Sequence, residues 1–317
     1  MTSTKAPSGH GIAAELVAVL VAVTSGEPRV LTIQDQSALP SGPFELAHRS
    51  LQSGLRAWVE RQTRLPLGYV EQLYTFADRD RAGVPAKHVI SVSYLGLTRE
   101  QQTAGEYEAS WQSWYGYFPW EDHRLGAPPL IEKTLRRGLN AFVSATPDKA
   151  MRQVRRQRAA MLFGFDEHAW NEELVLQRYE LLYEAGLIPE ALRGDSPPSA
   201  ADKATVAAPG HAMILDHRRI LATGIVRLRA KIKYHPVVFE LMPETFTLLQ
   251  LQRCIEALAG RPLYKQNFRR LIEAQELVEE TGEMSQDTGG RPAKLFRFRR
   301  AVFAERAVTG SKLPIAT

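Results

Sequence analysis

Helices that hold divalent metal ions for pyrophosphate hydrolysis carry a regular pattern: Gly, five residues, Glu, seven residues, then Arg-Glu-x-x-Glu-Glu. Their acidic side chains share one helix face and bind the cations that activate water. In this chain Gly42, Arg56 and Glu60 fit the pattern. The remaining acidic positions are filled by His48, Ala57 and Arg61. Because a hard cation needs several oxygen ligands and a guanidinium group repels it, the sequence predicts neither a metal site nor catalysis here.

A second group of polar side chains, near the C-terminus, is of the kind that reads DNA. The periodicity predicts a helix from Tyr264 to Ala274 with Phe268, Leu271 and Ile272 on its core side. Its exposed side carries Lys265, Gln266, Asn267, Arg269 and Arg270. Arginine suits guanine edges, asparagine and glutamine suit adenine, and lysine suits phosphate. We therefore predict that this face contacts double-stranded DNA.

The preceding residues predict the first half of a helix-turn-helix unit. Apolar periodicity runs from Leu248 to Leu258, with Thr247 as a good N-cap and Gly260 as a good C-terminal stop. Only a short connection separates this helix from the DNA-reading one. Two helices joined by such a turn form a helix-turn-helix.

The residues after the second helix predict a wing. Two strands, Leu277–Glu280 and Ala293–Arg299, flank a glycine-rich loop at 282–292. Arg291 in this loop is placed to enter a minor groove or grip phosphate, and Lys294 on the second strand joins the predicted DNA contacts. The sequence thus predicts a winged helix-turn-helix domain.

The first hundred residues predict a mixed α/β core, with one helix among the strands. The strands are expected at Leu16–Val23, Arg29–Ile33, Tyr69–Phe76 and Val89–Leu97. Helical spacing over Ser50–Gln62 carries the degenerate acidic pattern. That helix is also explained as an ordinary amphipathic one, so the pattern needs independent support.

Residues 105–210 are predicted to contain a helical insertion. Its helices are expected at Leu130–Val143, Asp148–Phe163 and Trp170–Gly186, and a linker is expected at Arg193–Gly210. A connecting helix over 216–233 follows, with Ile220, Ile225, Leu228 and Ile232 as its apolar positions. Basic side chains are expected on its surface: Arg218, Arg219, Arg227, Arg229, Lys231 and Lys233. We predict that this helix is the lever between two domains.

Length and charge agree with two domains. The 317 residues are expected to divide into a tail at 1–11, an effector domain at 12–233, a DNA-binding domain at 234–307 and a tail at 308–317. From residue 211 onward the chain has 18 Lys and Arg against 11 Asp and Glu, whereas the first 210 residues have 22 against 24. The positive excess therefore lies where DNA binding is predicted.

Cysteine use and hydropathy indicate the compartment. The single Cys254 lies in an apolar helical context and is expected to be a buried structural thiol, which fits a reducing cytoplasm. The longest apolar stretch, Ile12–Val23, is too short to span a bilayer and contains Glu15. We expect a cytoplasmic protein that makes no membrane contact.

Several segments resemble the Nudix-related transcriptional regulators of NAD metabolism. In the first half the similar segments are Glu71–Phe76, shortly after the degenerate Nudix box, and Ser91–Leu95 on the following strand. In the second half they are Asp216–Leu221, Leu228–Arg229, Phe246–Leu248, Asn267–Arg270 and Gly290–Pro292. Together they cover residues 12–100 and 211–300. The insertion at 105–210 departs from the shorter family members and points to the longer proteobacterial branch of NAD-biosynthesis repressors.

The resemblance implies a homodimeric repressor that binds a palindromic operator and senses an adenine nucleotide such as ADP-ribose, NAD or ATP. No cofactor is implied beyond this effector. Asn267, Arg269 and Arg270 would be recognition-helix contacts and Arg291 the wing contact. The candidate ligand residues are Arg56 and Glu60 on the former catalytic helix, Tyr74 and Phe76 for base stacking, and Arg79 and Arg81 for phosphates. Each of these is equally explained by a salt bridge, a solvated loop charge or a core aromatic.

Two other functions remain open at this point. One is a Nudix hydrolase with residual ADP-ribose or NAD pyrophosphatase activity, which the missing carboxylates oppose. The other is a winged-helix scaffold that binds only protein, which the local positive charge and Asn267 oppose.

Overall fold

The computed structural model describes the chain over residues 13–68, 70–77, 89–101, 108–193, 210–234, 237–285 and 292–299. The expected tails and most of the expected linker lie outside these ranges. Among the described residues, no helix combines the length and the apolar character that crossing a membrane requires.

A mixed sheet forms the centre of the first domain, as the sequence predicts. Its strands are β1 (Ala13–Thr24), β2 (Glu27–Thr32), β3 (Ser41–Pro43), β4 (Val70–Phe76), β5 (Val89–Leu97) and β6 (Ser110–Ser113). The strand order is β4-β5-β1-β2-β6, with β3 also paired to β1. β1 and β5 are parallel from Ala13 opposite Val89 to Val21 opposite Leu97, and the other pairs are antiparallel. Central β1 is buried on both faces, which explains its continuous apolar run.

The two faces of the sheet are covered by different parts of the chain. Helix α1 (Leu51–Thr63) packs Leu55 and Val59 against Leu16 and Leu20 on one face. The alternate residues of β1, such as Val19, belong to a larger core on the other face. Helix α1 begins at a capping box in which the Ser50 and Ser53 side chains each accept from the other's backbone N–H.

The expected helical insertion at 105–210 contains a strand before its helices, and this corrects the prediction. The four residues of β6 pair with β2 and complete the sheet edge. They are too few for a visible alternation of polar and apolar residues. The helices after it are α2 (Trp114–Tyr117), α3 (Arg136–Ser144), α4 (Lys149–Phe163) and α5 (Val175–Glu184), with a π turn at Ile131–Leu135 and a 3₁₀ turn at Pro189–Leu192.

Helix α5 starts five residues later than predicted. Trp170 stacks on His123 with the ring centroids 3.9 Å apart, and the Asn171 side chain accepts from the backbone N–H of Glu173 at 2.9 Å. An asparagine that bonds its own backbone two residues on favours a turn over a helix.

The connecting helix α6 (His217–Tyr234) buries all four expected apolar residues, Ile220, Ile225, Leu228 and Ile232. The expectation that its arginines lie on the surface is wrong for Arg218 and Arg229, which are as buried as the apolar residues. Both fall on the apolar side of the helix, three residues before Leu221 and four after Ile225, and each finds a buried glutamate.

The C-terminal elements form the predicted winged helix. They are a 3₁₀ turn at Val237–Glu240, helices α7 (Leu248–Ala259) and α8 (Lys265–Ala274), and strands β7 (Val278–Ser285) and β8 (Ala293–Phe298). Thr247 caps α7 through a box with Gln250, and Gly260 ends it at φ 73°. Phe246 pairs with Phe296 and so ties the entry of α7 to the wing. The apolar core of this domain is continuous with the core on the α6 face of the sheet.

Candidate DNA interface and nucleotide site

The exposed face of α8 is built as the sequence predicts. Phe268 and Ile272 are almost fully buried and anchor the helix, while Leu271 is half-buried. Five residues are exposed beside them: Lys265, Gln266, Asn267, Arg269 and Arg270. Tyr264, at the N-cap, is exposed as well. The helix therefore presents three cations and two amides on an outer face, which is a set suited to phosphates and base edges.

Cations of the wing are paired with glutamates on the facing strand. Lys294 Nζ lies 2.8 Å from Glu280 Oε1, and Arg297 Nε lies 2.7 Å from Glu279 Oε1. A DNA contact by Lys294 would require it to exchange this carboxylate for a phosphate. Arg291, the other predicted wing contact, lies outside the described residues.

The residues that replace the acidic pattern have structural contacts of their own. Arg61 lies over the ring of Trp58, with its guanidinium carbon 3.9 Å from the ring centroid. His48 Nδ1 accepts from the backbone N–H of Glu45 at 3.0 Å. A Cβ on Gly42 would come within 2.2 Å of the Trp58 ring, so packing alone requires this glycine. Across the described part of the chain, no three His, Cys, Asp or Glu side chains are grouped as metal ligands would be.

Arg56, a predicted ligand residue on α1, anchors the loop that follows this helix. Its guanidinium donates to the carbonyl oxygens of Leu67 and Gly68, the latter at 2.9 Å. Glu60 is exposed one turn further along α1. Both side chains therefore belong to one outer region of the first domain, where Arg56 also fixes the approach to β4.

The two aromatic candidates on β4 have opposite environments. The Tyr74 side chain is 59% exposed, whereas Phe76 is 4% exposed and lies under the Arg219 guanidinium. The two rings nevertheless contact each other, with their centroids 5.0 Å apart, next to a register shift in the pairing with β5 between Gln72 and Thr75. The prediction of Phe76 as a stacking residue is thus corrected, because Phe76 is a core aromatic, whereas the Tyr74 ring is exposed. Arg79 and Arg81 lie outside the described residues.

A buried charge cluster that sequence reasoning missed joins three parts of the chain. Glu121 accepts from Arg178 Nε at 2.6 Å and Nη2 at 2.8 Å, and from Arg229 Nη1 at 2.8 Å. These three side chains have at most 1% of their surface exposed. Burial alone would raise the pKa of the Glu121 carboxyl, but the two arginines together hold it below its ordinary value. The carboxylate is therefore charged, and it neutralises part of the guanidinium charge.

A second buried pair lies at the start of α6. Arg218 Nη1 is 3.0 Å from Glu190 Oε2, and the other oxygen of Glu190 accepts from the backbone N–H of Met213 at 3.0 Å. In the sequence, the burial of these arginines was indicated only by their position on the apolar side of α6. Their partners are 28 and 108 residues away along the chain, respectively, so spacing could not identify them.

Comparisons with known proteins give the context for these sites. Residues 238–298 match the family described as the NrtR DNA-binding winged helix domain. Over 86 residues the chain is 40% identical to the ADPR responsive transcriptional repressor NtrR of Acinetobacter baylyi; this match covers 27% of the chain and 34% of that relative. The chain thus matches about a third of the length of that curated relative.

Solved structures resemble nearly the whole chain in fold. A Shewanella oneidensis NrtR complexed with a 27mer DNA aligns with a TM-score of 0.53 and 18% identity, covering 94% of this chain and 99% of that one. A MutT/nudix family protein from Enterococcus faecalis aligns with a TM-score of 0.52 and 15% identity, covering 93% and 90%. The likeness at these identities concerns the fold, which is a Nudix-like domain followed by a winged helix.

Proposed function

We propose that this chain is a DNA-binding repressor of NAD biosynthesis genes. The proposal is supported by its architecture, because a Nudix-like domain followed by an NrtR-type winged helix is the architecture of the Nudix-related transcriptional regulators. In this proposal the Nudix-like domain senses an adenine nucleotide and does not hydrolyse it. The protein acts in the cytoplasm, where its operators are.

The observation that carries the DNA-binding part is the outer face of α8. Three cations and two amides are exposed there, on a helix held by the buried Phe268 and Ile272. In a helix-turn-helix this second helix enters the major groove. One such helix reads one half-site, so we infer a homodimer on a palindromic operator.

For the effector we favour ADP-ribose over NAD and ATP, because the Acinetobacter relative is described as ADPR responsive. The region between the outer side of α1 and Tyr74 on β4 is the proposed place for it. There the exposed Tyr74 ring offers a stacking surface for adenine, and Glu60 offers a carboxylate that can accept from ribose hydroxyls. Arg56 could bind a phosphate only after breaking its hydrogen bonds to the carbonyl oxygens of Leu67 and Gly68.

We propose that the domain has no hydrolase activity, because α1 lacks glutamates at positions where the metal-binding pattern requires them. With Ala57 and Arg61 flanking Glu60, this helix provides one carboxylate where several oxygen ligands are needed. Incubation with ADP-ribose and excess magnesium should yield no AMP. If AMP is released in a magnesium-dependent reaction that Glu60→Gln abolishes, the domain is a hydrolase and the proposed lack of activity is wrong.

Fluorescence anisotropy on the gene's own upstream DNA and on NAD-biosynthesis promoters tests the function. Each titration is run with and without ADP-ribose, NAD and ATP at one fixed salt concentration, because phosphate contacts make affinity salt-dependent. Selective binding that one nucleotide alters is expected. Non-selective binding that is indifferent to nucleotide would favour a protein scaffold.

Substitutions on α8 separate base reading from charge. Arg270→Ala and Asn267→Ala should each weaken specific binding by about 1–3 kcal/mol. Arg156→Ala is the matched control, because it removes an exposed arginine from α4, in the helical segment. Equal effects of Arg270→Ala and Arg156→Ala would mean that α8 does not read the operator.

A further inference from the structure

The C-terminal end of α7 is completed by groups from outside the winged helix. The last four carbonyls of a helix have no partner within it. Here the carbonyl of Ala257 accepts from the Tyr115 hydroxyl at 2.7 Å, and that of Leu258 accepts from Arg229 Nε at 3.0 Å. The carbonyl of Gly260 accepts from the backbone N–H of His123 at 2.7 Å. All three donors belong to the Nudix-like domain or to α6.

These donors are themselves held in place. Arg229 is fixed by Glu121 and by the carbonyl of Glu172, each at 2.8 Å from Nη1, and Glu121 is fixed in turn by Arg178. A buried charge tolerates little displacement, because any lost partner leaves it uncompensated in a medium of low polarity. The contact therefore has one favoured geometry, unlike a contact between apolar surfaces that can slide.

At Gly260 the two domains approach too closely for a side chain. A Cβ at this position would lie 2.5 Å from the carbonyl oxygen of Glu121, 2.7 Å from Arg229 Nη2 and 2.9 Å from the Tyr115 hydroxyl. The positive φ of 73° explains a glycine for local reasons as well. Any larger residue would push α7 away from the first domain.

The orientation of α8 follows that of α7. Glu256 Oε1 accepts from the backbone N–H of Leu263 at 2.8 Å, and Gln252 Nε2 donates to the carbonyl of Leu263 at 3.1 Å. In the same turn, Arg261 Nη2 lies 3.4 Å from Glu172 Oε1. A rotation of α7 against the first domain would therefore carry α8 with it.

We propose that Tyr115, Glu121 and Arg229 position the helix-turn-helix for DNA binding by clamping the C-terminal end of α7 to the Nudix-like domain. The clamp sets the angle at which each α8 leaves its protomer, and hence the half-site spacing that a dimer fits. This inference rests on the proposed DNA-binding function. It assigns positioning roles to residues that do not face the DNA-reading surface.

Gly260→Ala in the full-length protein tests the clamp, with Gly186→Ala as its matched control. Both glycines follow a helix with φ near 70°, but a Cβ at Gly186 meets nothing within 4 Å. Anisotropy is measured on an isolated half-site and on palindromes whose half-sites are moved apart by one or two base pairs. Tyr115→Phe, which removes one hydroxyl, serves as a second variant in case Gly260→Ala does not fold.

The wild type and Gly186→Ala should bind the palindrome of preferred spacing roughly tenfold or more tightly than the others. This difference in affinity is about that caused by the loss of one base contact. Gly260→Ala and, more weakly, Tyr115→Phe should lose most of this preference while keeping wild-type affinity for the single half-site. Unchanged spacing preference in both folded variants would overturn the clamp. Failure of the wild type to bind any operator would instead overturn the proposed function.

Discussion

Replacing Glu121 with glutamine should destabilise the protein far more than the same change at an exposed carboxylate. Glu121→Gln keeps the side-chain shape but leaves Arg178 and Arg229 buried without their shared counter-charge. Breaking a buried ion pair by removing one partner costs about 3–5 kcal/mol. Here one carboxylate accepts three hydrogen bonds of 2.6–2.8 Å, so we expect the upper half of that range.

Glu280→Gln is the control for this prediction. Glu280 also accepts from a cation at 2.8 Å, but its side chain is 52% exposed and that of Lys294 61%. Exposed pairs contribute about 0–1 kcal/mol. Guanidinium unfolding followed by tryptophan fluorescence gives both values, provided that the slope with denaturant is unchanged. A loss below about 1 kcal/mol for Glu121→Gln would refute the reasoning, since the cluster would then contribute no more than a surface pair.

The pH dependence of this difference provides a second test. The pKa of Glu121 in the folded protein lies below its ordinary value of 4.5. A group with a lowered pKa stabilises the fold above its unfolded-state value, and that stabilisation disappears as the pH falls through the folded-state value. The gap between wild type and Glu121→Gln should therefore be full at neutral pH and shrink only below 4.5. A gap that shrinks between neutral pH and 5 would contradict the assignment.

Three further predictions follow from single contacts. Cys254 is buried, and burial raises its pKa to about 12, so it should resist Ellman's reagent at pH 8 in the folded protein and react at once in denaturant. Thr247→Ala should lower the free energy of unfolding by about 1 kcal/mol by removing the cap of α7, with Thr247→Ser restoring most of it. Lys231→Met, which breaks the ion pair to Glu71 on β4, should reduce the effect of ADP-ribose on DNA affinity in anisotropy titrations by about two- to fivefold. The control Arg136→Met breaks the ion pairs to Glu132 and Asp166 in the helical segment and should leave that effect unchanged.

The parts of the fold that the sequence predicts are those determined by neighbours along the chain. The apolar run of β1, the turn after it and the cap and stop of α7 are local signals, and each element appears where expected. The burial of Arg229 could not be predicted in this way, because its partner Glu121 is 108 residues away along the chain. Its position four residues after Ile225 indicated the core, but an arginine is rarely placed there without a known counter-charge.

Candidate ligand residues were harder to predict than DNA-reading ones for a related reason. The face of α8 follows from helical periodicity alone, so exposure of Asn267 and Arg270 could be predicted. The ring centroids of Tyr74 and Phe76 lie 5.0 Å apart, but only Phe76 is covered, by the Arg219 guanidinium of α6. A contact with a residue 143 positions further along the chain cannot be predicted from the period of a strand.

The arrangement of layers limits how a nucleotide signal can reach DNA. Helix α1 and α6 lie on opposite faces of the sheet, so an effector held near α1 has no direct contact with the clamp at Arg229. Strand β4 contacts α6: its Glu71 pairs with Lys231, and its Phe76 lies under Arg219, with its ring centroid 5.0 Å from that of the exposed Tyr74. Polar substitutions of Ile225 or Leu228, the obvious test of α6 as a lever, would disrupt a fully buried core and report on folding. The side chains of the Lys231–Glu71 ion pair keep 20% and 19% of their surface exposed, so this pair can be broken without removing a fully buried apolar residue. It is therefore the informative place to ask whether α6 transmits the signal.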